Sequence, residues 1–111
     1  MWIFAVEGFV SVVAVRGSGE QLLVRARVRQ DAAAWHALVV GKGTTGIKNT
    51  VRADYPWRFV TTRAAFAQAF AKMVTEGLKY DNFKNAVARD NPERSHAAYM
   101  DVWATMRNVT R

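Results

Sequence analysis

Cysteine is missing from this chain, proline occurs only twice, and acidic residues are scarce, nine Asp and Glu against sixteen Lys and Arg. Without cysteine there are no disulfides, thiolate metal sites or thiol nucleophiles, so the fold has to hold by packing alone. That economy suits a reducing compartment and predicts a cytoplasmic protein. A long hydrophobic run is also lacking. The N-terminal stretch Met1 to Arg16 is apolar but is interrupted by Glu7 and has no basic lead. It stops well short of the ~20 apolar residues that cross a bilayer, which predicts mature strands and neither a signal peptide nor a membrane partner.

What is present is ordinary globular material with a basic bias. At 111 residues and 50% hydrophobic content, the chain is expected to form one domain over residues 1–111 and to bury roughly two-thirds of its unfolded surface. The net charge of +7 is uneven: residues 1–63 carry nine basic and four acidic groups, the remainder seven and five. The half expected to be rich in strands holds most of the excess.

From Trp2 to Val15 the residues are mostly β-branched or aromatic, with Gly8 placed where a bulge or tight bend would sit. After the turn Arg16-Gly17-Ser18-Gly19-Glu20, residues Gln21 to Arg29 alternate strictly. Leu22, Val24, Ala26 and Val28 point one way, and Leu23, Arg25, Arg27 and Arg29 the other. Asp31 reads as an N-cap for a helix over Ala32 to Val40 that Gly41 ends. Ile47 to Val51 reads as a short edge strand, and Pro56 marks where the strand Trp57 to Thr61 begins.

Thr62 is placed to cap a helix whose Phe66, Ala69, Phe70, Met73 and Val74 form one apolar stripe. Asp81 or Asn82 caps a short helix carrying Phe83, Ala86 and Val87. Asn91-Pro92-Glu93 opens a last helix lined by Tyr99, Val102, Trp103 and Met106. The expected fold is therefore α+β: an antiparallel sheet, a β meander plus one or two further strands, with one inserted helix and three C-terminal helices packed over one face.

Trp2-Ile3-Phe4 with Gly8-Phe9-Val10-Ser11-Val12-Val13, the run Leu22 to Val28, Asp54-Tyr55-Pro56-Trp57-Arg58, the run Tyr80 to Asn85 and the run Ala98 to Trp103 together resemble a family of short, uncharacterised bacterial proteins. The resemblance covers nearly the whole chain except the loop Gly41 to Gly46. It implies a single domain beginning at Met1 and brings no activity and no site residues with it.

The strongest functional signal is the arginine stripe. Arg25, Arg27 and Arg29 on one extended face would repeat every ~6.7 Å, able to follow a nucleic-acid backbone or an acidic protein surface. Arg58 would extend the stripe from another strand, and Trp57 or Tyr55 would supply a stacking ring. The plainer reading is a solvated sheet face kept soluble by long charged stems. No RNA-recognition fingerprint accompanies it, because Glu7-Gly8-Phe9-Val10 lacks the basic residue and the spaced aromatics.

Secondary candidates are Lys42 in the glycine loop and Tyr80, Asp81, Asn82, Lys84 and Asn85 at a helix start. Gly41-Lys42-Gly43-Thr44-Thr45 is too short between its glycines for a nucleotide loop and follows a helix rather than a strand, leaving only anion contact by its amides. Glu93 and His96 have the spacing of half a di-metal site, but a second Glu-x-x-His is lacking. His36 has no adjacent acid, and Ser18 lies in a turn without a nucleophile elbow.

These residues predict a non-enzymatic binding module without a cofactor or metal, presenting a basic sheet face to a nucleic acid or an acidic protein. Two alternatives come from other classes. One is an accessory or inhibitory protein of a phage or mobile element, of anti-defence type, docking on a host complex. The other is a small-molecule-binding protein or enzyme using the Tyr80 to Asn85 turn. An edge strand at Ile47 to Val51 also leaves a homodimer open.

Overall fold

The computed structural model describes every residue except Lys42, Thr44, His96, Ala97 and Arg111. It is an α+β protein with a five-stranded antiparallel sheet in the order β1-β2-β3-β5-β4. The strands are β1 (Trp2–Ala5), β2 (Gly8–Ala14), β3 (Gln21–Ala26), β4 (Lys48–Asn49) and β5 (Trp57–Thr62). The helices are α1 (Arg29–Val39), α2 (Arg63–Lys72), α3 (Phe83–Asp90), α4 (Pro92–Ser95) and α5 (Ala98–Met106), and α2 runs on into a π-helical turn, Met73–Gly77. Among the described residues no helix is long and apolar enough to cross a membrane.

Parity along the strands decides which side chains meet. The ladder aligns Val12 with Val24 and Val24 with Phe59, and these three are buried together with Val10, Ala26 and Ala32. On this face α1 lays Trp35, 1% exposed, and α2 lays Phe66, whose ring stacks on that of Trp35 at 5.9 Å. Burying such rings removes some 150–250 Å² each from water, so this layer dominates the hydrophobic stabilisation. The stripe on α2 continues inward through Phe70 and Met73. Val74, at its end, is 47% exposed.

Gly8 turns the chain tightly, as its position in the sequence suggests. It pairs with Ala5 across the two-residue connection Val6-Glu7 and adopts φ +141°, a conformation costly to any residue with a Cβ. Its carbonyl accepts the indole N–H of Trp35 at 3.0 Å. The C-terminal helices fasten to this same corner. Tyr99 Oη donates to the Ala5 carbonyl at 2.8 Å, and Asn91 Nδ2 donates to the Val6 carbonyl at 3.0 Å. Arg94 reaches Asp31 on α1.

Two expectations about the β3–α1 junction are corrected. The strand ends at Ala26 rather than at Arg29, because its partner β5 begins at Trp57, directly after Pro56, and Ala26 is the last residue with an opposite number. With no ladder to join, residues 27 and 28 bend, and Val28 becomes the extended residue preceding α1. Asp31 is therefore not the N-cap. It lies inside the first turn of α1, 3% exposed, and accepts the backbone N–H of Phe9 at 3.1 Å.

The remaining caps follow the sequence. Thr62 Oγ1 accepts the Ala65 N–H at 3.0 Å, and of the two candidates for α3 it is Asn82 that accepts, from the Asn85 N–H at 3.0 Å. Gly41 closes α1 with φ +122°, its N–H donating to the His36 carbonyl at 3.1 Å.

Candidate functional site

The sheet face opposite α1 and α2 carries the odd-numbered residues of β2 and β3. One cross-strand row runs Trp2, Ser11, Arg25, Arg58, Lys48 in register over all five strands. With neighbouring strands ~4.8 Å apart, this row spans roughly 19 Å. Its first ring, Trp2, is 64% exposed, and its far end is two adjacent cations.

Tyr55, just before β5, organises the cations. The guanidinium of Arg25 lies 4.8 Å from the Tyr55 ring centroid and that of Arg27 lies 4.9 Å from it. Such contacts contribute about 0.5–1 kcal/mol each at exposed sites. Arg25 is also held from its other side, since its Nη2 donates to Ser11 Oγ at 2.9 Å. Its Nε is buried without a hydrogen-bond partner among the described residues, so the group is fixed at some cost by the sheet beneath it. Arg58 is fixed too, with Nε and Nη2 donating to the Tyr55 carbonyl at 3.2 and 2.8 Å.

Rings continue the face toward β1. Phe9 lies 6.2 Å from Tyr55, stacks on Phe4 at 4.5 Å and meets Trp2 edge-on at 6.1 Å. A second row, Val13, Leu23 and Val60, lies on the same face, with Val60 50% exposed.

Electrostatically this patch is set apart by what its cations lack. Among the described residues no carboxylate lies within 4.0 Å of Arg25, Arg27, Arg29, Arg58 or Lys48, whereas Lys72 and Arg89 each have one and Arg94 has two. Arg94 is the best paired: the hydrogen-bonded Asp31 carboxylate pushes its guanidinium above the ordinary arginine value.

Of the residues expected to form the stripe, Arg25, Arg27 and Arg58 come together around Tyr55, and Arg29 does not. Arg29 is the first residue of α1 and its guanidinium sits 6.0 Å over the ring of Trp57. Trp57 is likewise displaced from the stripe. It pairs with Ala26, whose side chain is fully buried, and packs against the core on the helix-bearing face. The stacking ring of the basic face is Tyr55. The sequence gives no sign that Ser11, Trp2, Phe9 and Lys48 join this face. Only the strand register, a tertiary property, brings them alongside Arg25.

The secondary candidates divide. Lys42 lies outside the described residues, as does His96. Asn82 and Asn85 meet each other in the cap, and Asp81 is exposed beside them. Tyr80 tilts against Phe83 at 6.0 Å, and burial, aided by the charge of Glu7, raises its phenol above the ordinary value. Lys84 leaves this group and places its ammonium 4.1 Å from the Trp103 ring centroid. His36 is 2% exposed, with Nε2 2.9 Å from the Thr45 carbonyl and its ring edge-on to Phe59 at 5.0 Å. It ties the glycine loop to the core.

Comparison of the chain with protein-family models, with curated proteins and with solved structures gives no significant match.

Proposed function

We propose that the protein is a binding module for single-stranded nucleic acid, using the open sheet face centred on Arg25, Arg27 and Arg58. The observation that carries this reading is the cluster of guanidiniums around Tyr55 with no carboxylate at ion-pairing distance among the described residues. An unpaired row of fixed cations favours a polyanion, because each phosphate neutralised releases condensed counterions. Arg25 and Arg58 are held by Ser11 and by the Tyr55 carbonyl, so little rotamer entropy remains to be lost on binding.

Trp2 supplies what phosphate contacts do not. Its exposed ring stands at one end of the cation row, where an unpaired base can stack, a contact contributing about 1–3 kcal/mol per base in single-strand binders. Sequence discrimination is not expected from such a surface, since stacking and phosphate contact accept any base.

A second reading, an acidic protein partner, is favoured by the aliphatic row Val13, Leu23 and Val60 beside the cations, since interfaces combine an apolar centre with a charged rim. Fluorescence anisotropy of a labelled single-stranded oligonucleotide distinguishes the two. Binding that is weakened at least tenfold by Arg25→Glu and by Trp2→Ala, and left unchanged by Arg89→Glu, supports the nucleic-acid reading. Absence of binding at low salt refutes it.

A further inference from the structure

Between α3 and α5, where they face the end of β1, lies a groove of about 240 Å³. Its walls are Phe4, Phe83, Val87, Tyr99, Val102 and Trp103, with Lys84 the one charged lining residue among those described. The walls are preformed. Phe83 stacks on Tyr99 at 5.9 Å, Tyr99 meets Phe4 edge-on at 5.7 Å, and Val87 is 1% exposed. The rim is adaptable and reaches solvent through Trp103, 40% exposed, and Met106, 56% exposed, and an unbranched thioether repacks readily around a guest.

We infer that this groove binds a small amphipathic carboxylate, an eight- to ten-carbon acyl chain or a compact aryl acid, with the carboxylate on Lys84. Size sets the apolar part. An apolar cavity of roughly 150 Å³ accommodates a benzene ring, and ordinary drug-sized sites run from about 300 Å³ upward, so this groove takes a short chain or a ring with a few methylenes. Charge sets the head group. Lys84 has no carboxylate within 4.0 Å among the described residues, and its ammonium rests on the ring of Trp103 at the mouth. Arg107 adds a second cation, its guanidinium 5.1 Å from the same ring. A ligand with its anion at that mouth and its hydrocarbon inside suits both the apolar walls and Lys84, whereas a neutral hydrocarbon gives the Lys84 ammonium no anion. The groove adjoins the arginine face at Phe4, whose ring stacks on Phe9, but what it binds does not depend on the reading of that face.

The test is calorimetric titration of the full chain with octanoate and with octanamide, its uncharged isostere, alongside amide and indole chemical-shift mapping by NMR. One octanoate is expected per chain with Kd on the order of 1 mM or tighter. Shifts are expected at Phe83, Val87, Tyr99, Val102 and the Trp103 indole. Octanamide and the variant Lys84→Glu, whose exposed position spares the fold, are each expected to weaken binding at least tenfold. Equal affinity for the acid and the amide overturns the proposal, as does octanoate binding unaffected by Lys84→Glu. Shifts confined to the Arg25, Arg27 and Arg58 region also overturn it, as does no saturation at about ten times that concentration.

Discussion

Arg94 Nη2 lies 2.7 Å from Asp31 Oδ1, joining α4 to α1 across 63 positions of sequence. The pair is doubled by Nε donating to Oδ2 at 3.1 Å, and the same Oδ2 accepts the Phe9 N–H. Asp31 thus sits at the meeting point of the first hairpin, α1 and the C-terminal helices. Removing one partner of a buried pair strands the other, at a cost of about 3 kcal/mol or more. Arg94→Met is expected to lower stability by about that amount, and Asp31→Asn by somewhat less because an oxygen remains for Phe9. Denaturant titration of both singles and the double variant should show coupling of about 1–3 kcal/mol. Strict additivity would mean the two side chains act independently.

Gly8 leaves room for Asp31 by having no side chain. A Cβ there would stand 2.6 Å from Asp31 Oδ1, on a backbone already at φ +141°. Gly8→Ala therefore combines strain with a clash and is expected to cost about 2 kcal/mol or more, lowering Tm by roughly 10 °C. Gly19→Ala is the matched control, since a Cβ there meets nothing within 4 Å. Its Tm should shift by little.

Tyr99 makes stability sensitive to alkaline pH. Burial, and next the nearby Asp31 charge, raise its hydroxyl well above the ordinary value of 10.0. A raised folded value means that the folded state keeps a proton the unfolded chain gives up. The stabilisation is whole below pH 10 and declines as pH rises above it. Tyr99→Phe loses the hydrogen bond to Ala5, about 1 kcal/mol at neutral pH, and the gap to the parent protein should narrow between pH 10 and 11. Urea unfolding of both proteins across that range checks it; a constant gap would contradict the assignment.

Much of this architecture was legible in sequence because it is local. The alternation in Gln21 to Ala26, the Thr62 and Asn82 caps, the stripe at Phe66 and Phe70, and the bend at Gly8 are each set by residues within a turn or a strand of one another. What the sequence concealed was long-range. Asp31 looks like a cap because a cap is what an isolated aspartate before an alanine run usually is, and its real partners are Phe9 and Arg94. The arginine periodicity runs smoothly through Arg29, yet the strand stops where β5 has no residue left to pair. The same pairing turns Trp57 to the helix-bearing face with Ala26, while Tyr55, ahead of the strand, lies with Arg25 and Arg27 on the other face. Ser11, an isolated hydroxyl in an apolar strand, was the one local hint that something polar lay opposite it.

Thr62 offers a smaller test of that local legibility. Its hydroxyl satisfies a free N–H at the start of α2, so Thr62→Ala should cost about 1 kcal/mol. Thr62→Ser, which keeps the acceptor, should recover most of it in thermal unfolding.

The proposed role of the open face rests on cations that no carboxylate among the described residues pairs, and the salt dependence of single-strand binding tests it most directly. With Arg25, Arg27, Arg58 and Lys48 each meeting a phosphate, the log of the association constant should fall against the log of salt concentration with a slope of about −2.8, near −0.7 per contact. Arg58→Gln or Lys48→Gln should each reduce the steepness by about 0.7. A flat dependence, or a slope unmoved by removing these cations, would contradict a polyanion-binding face.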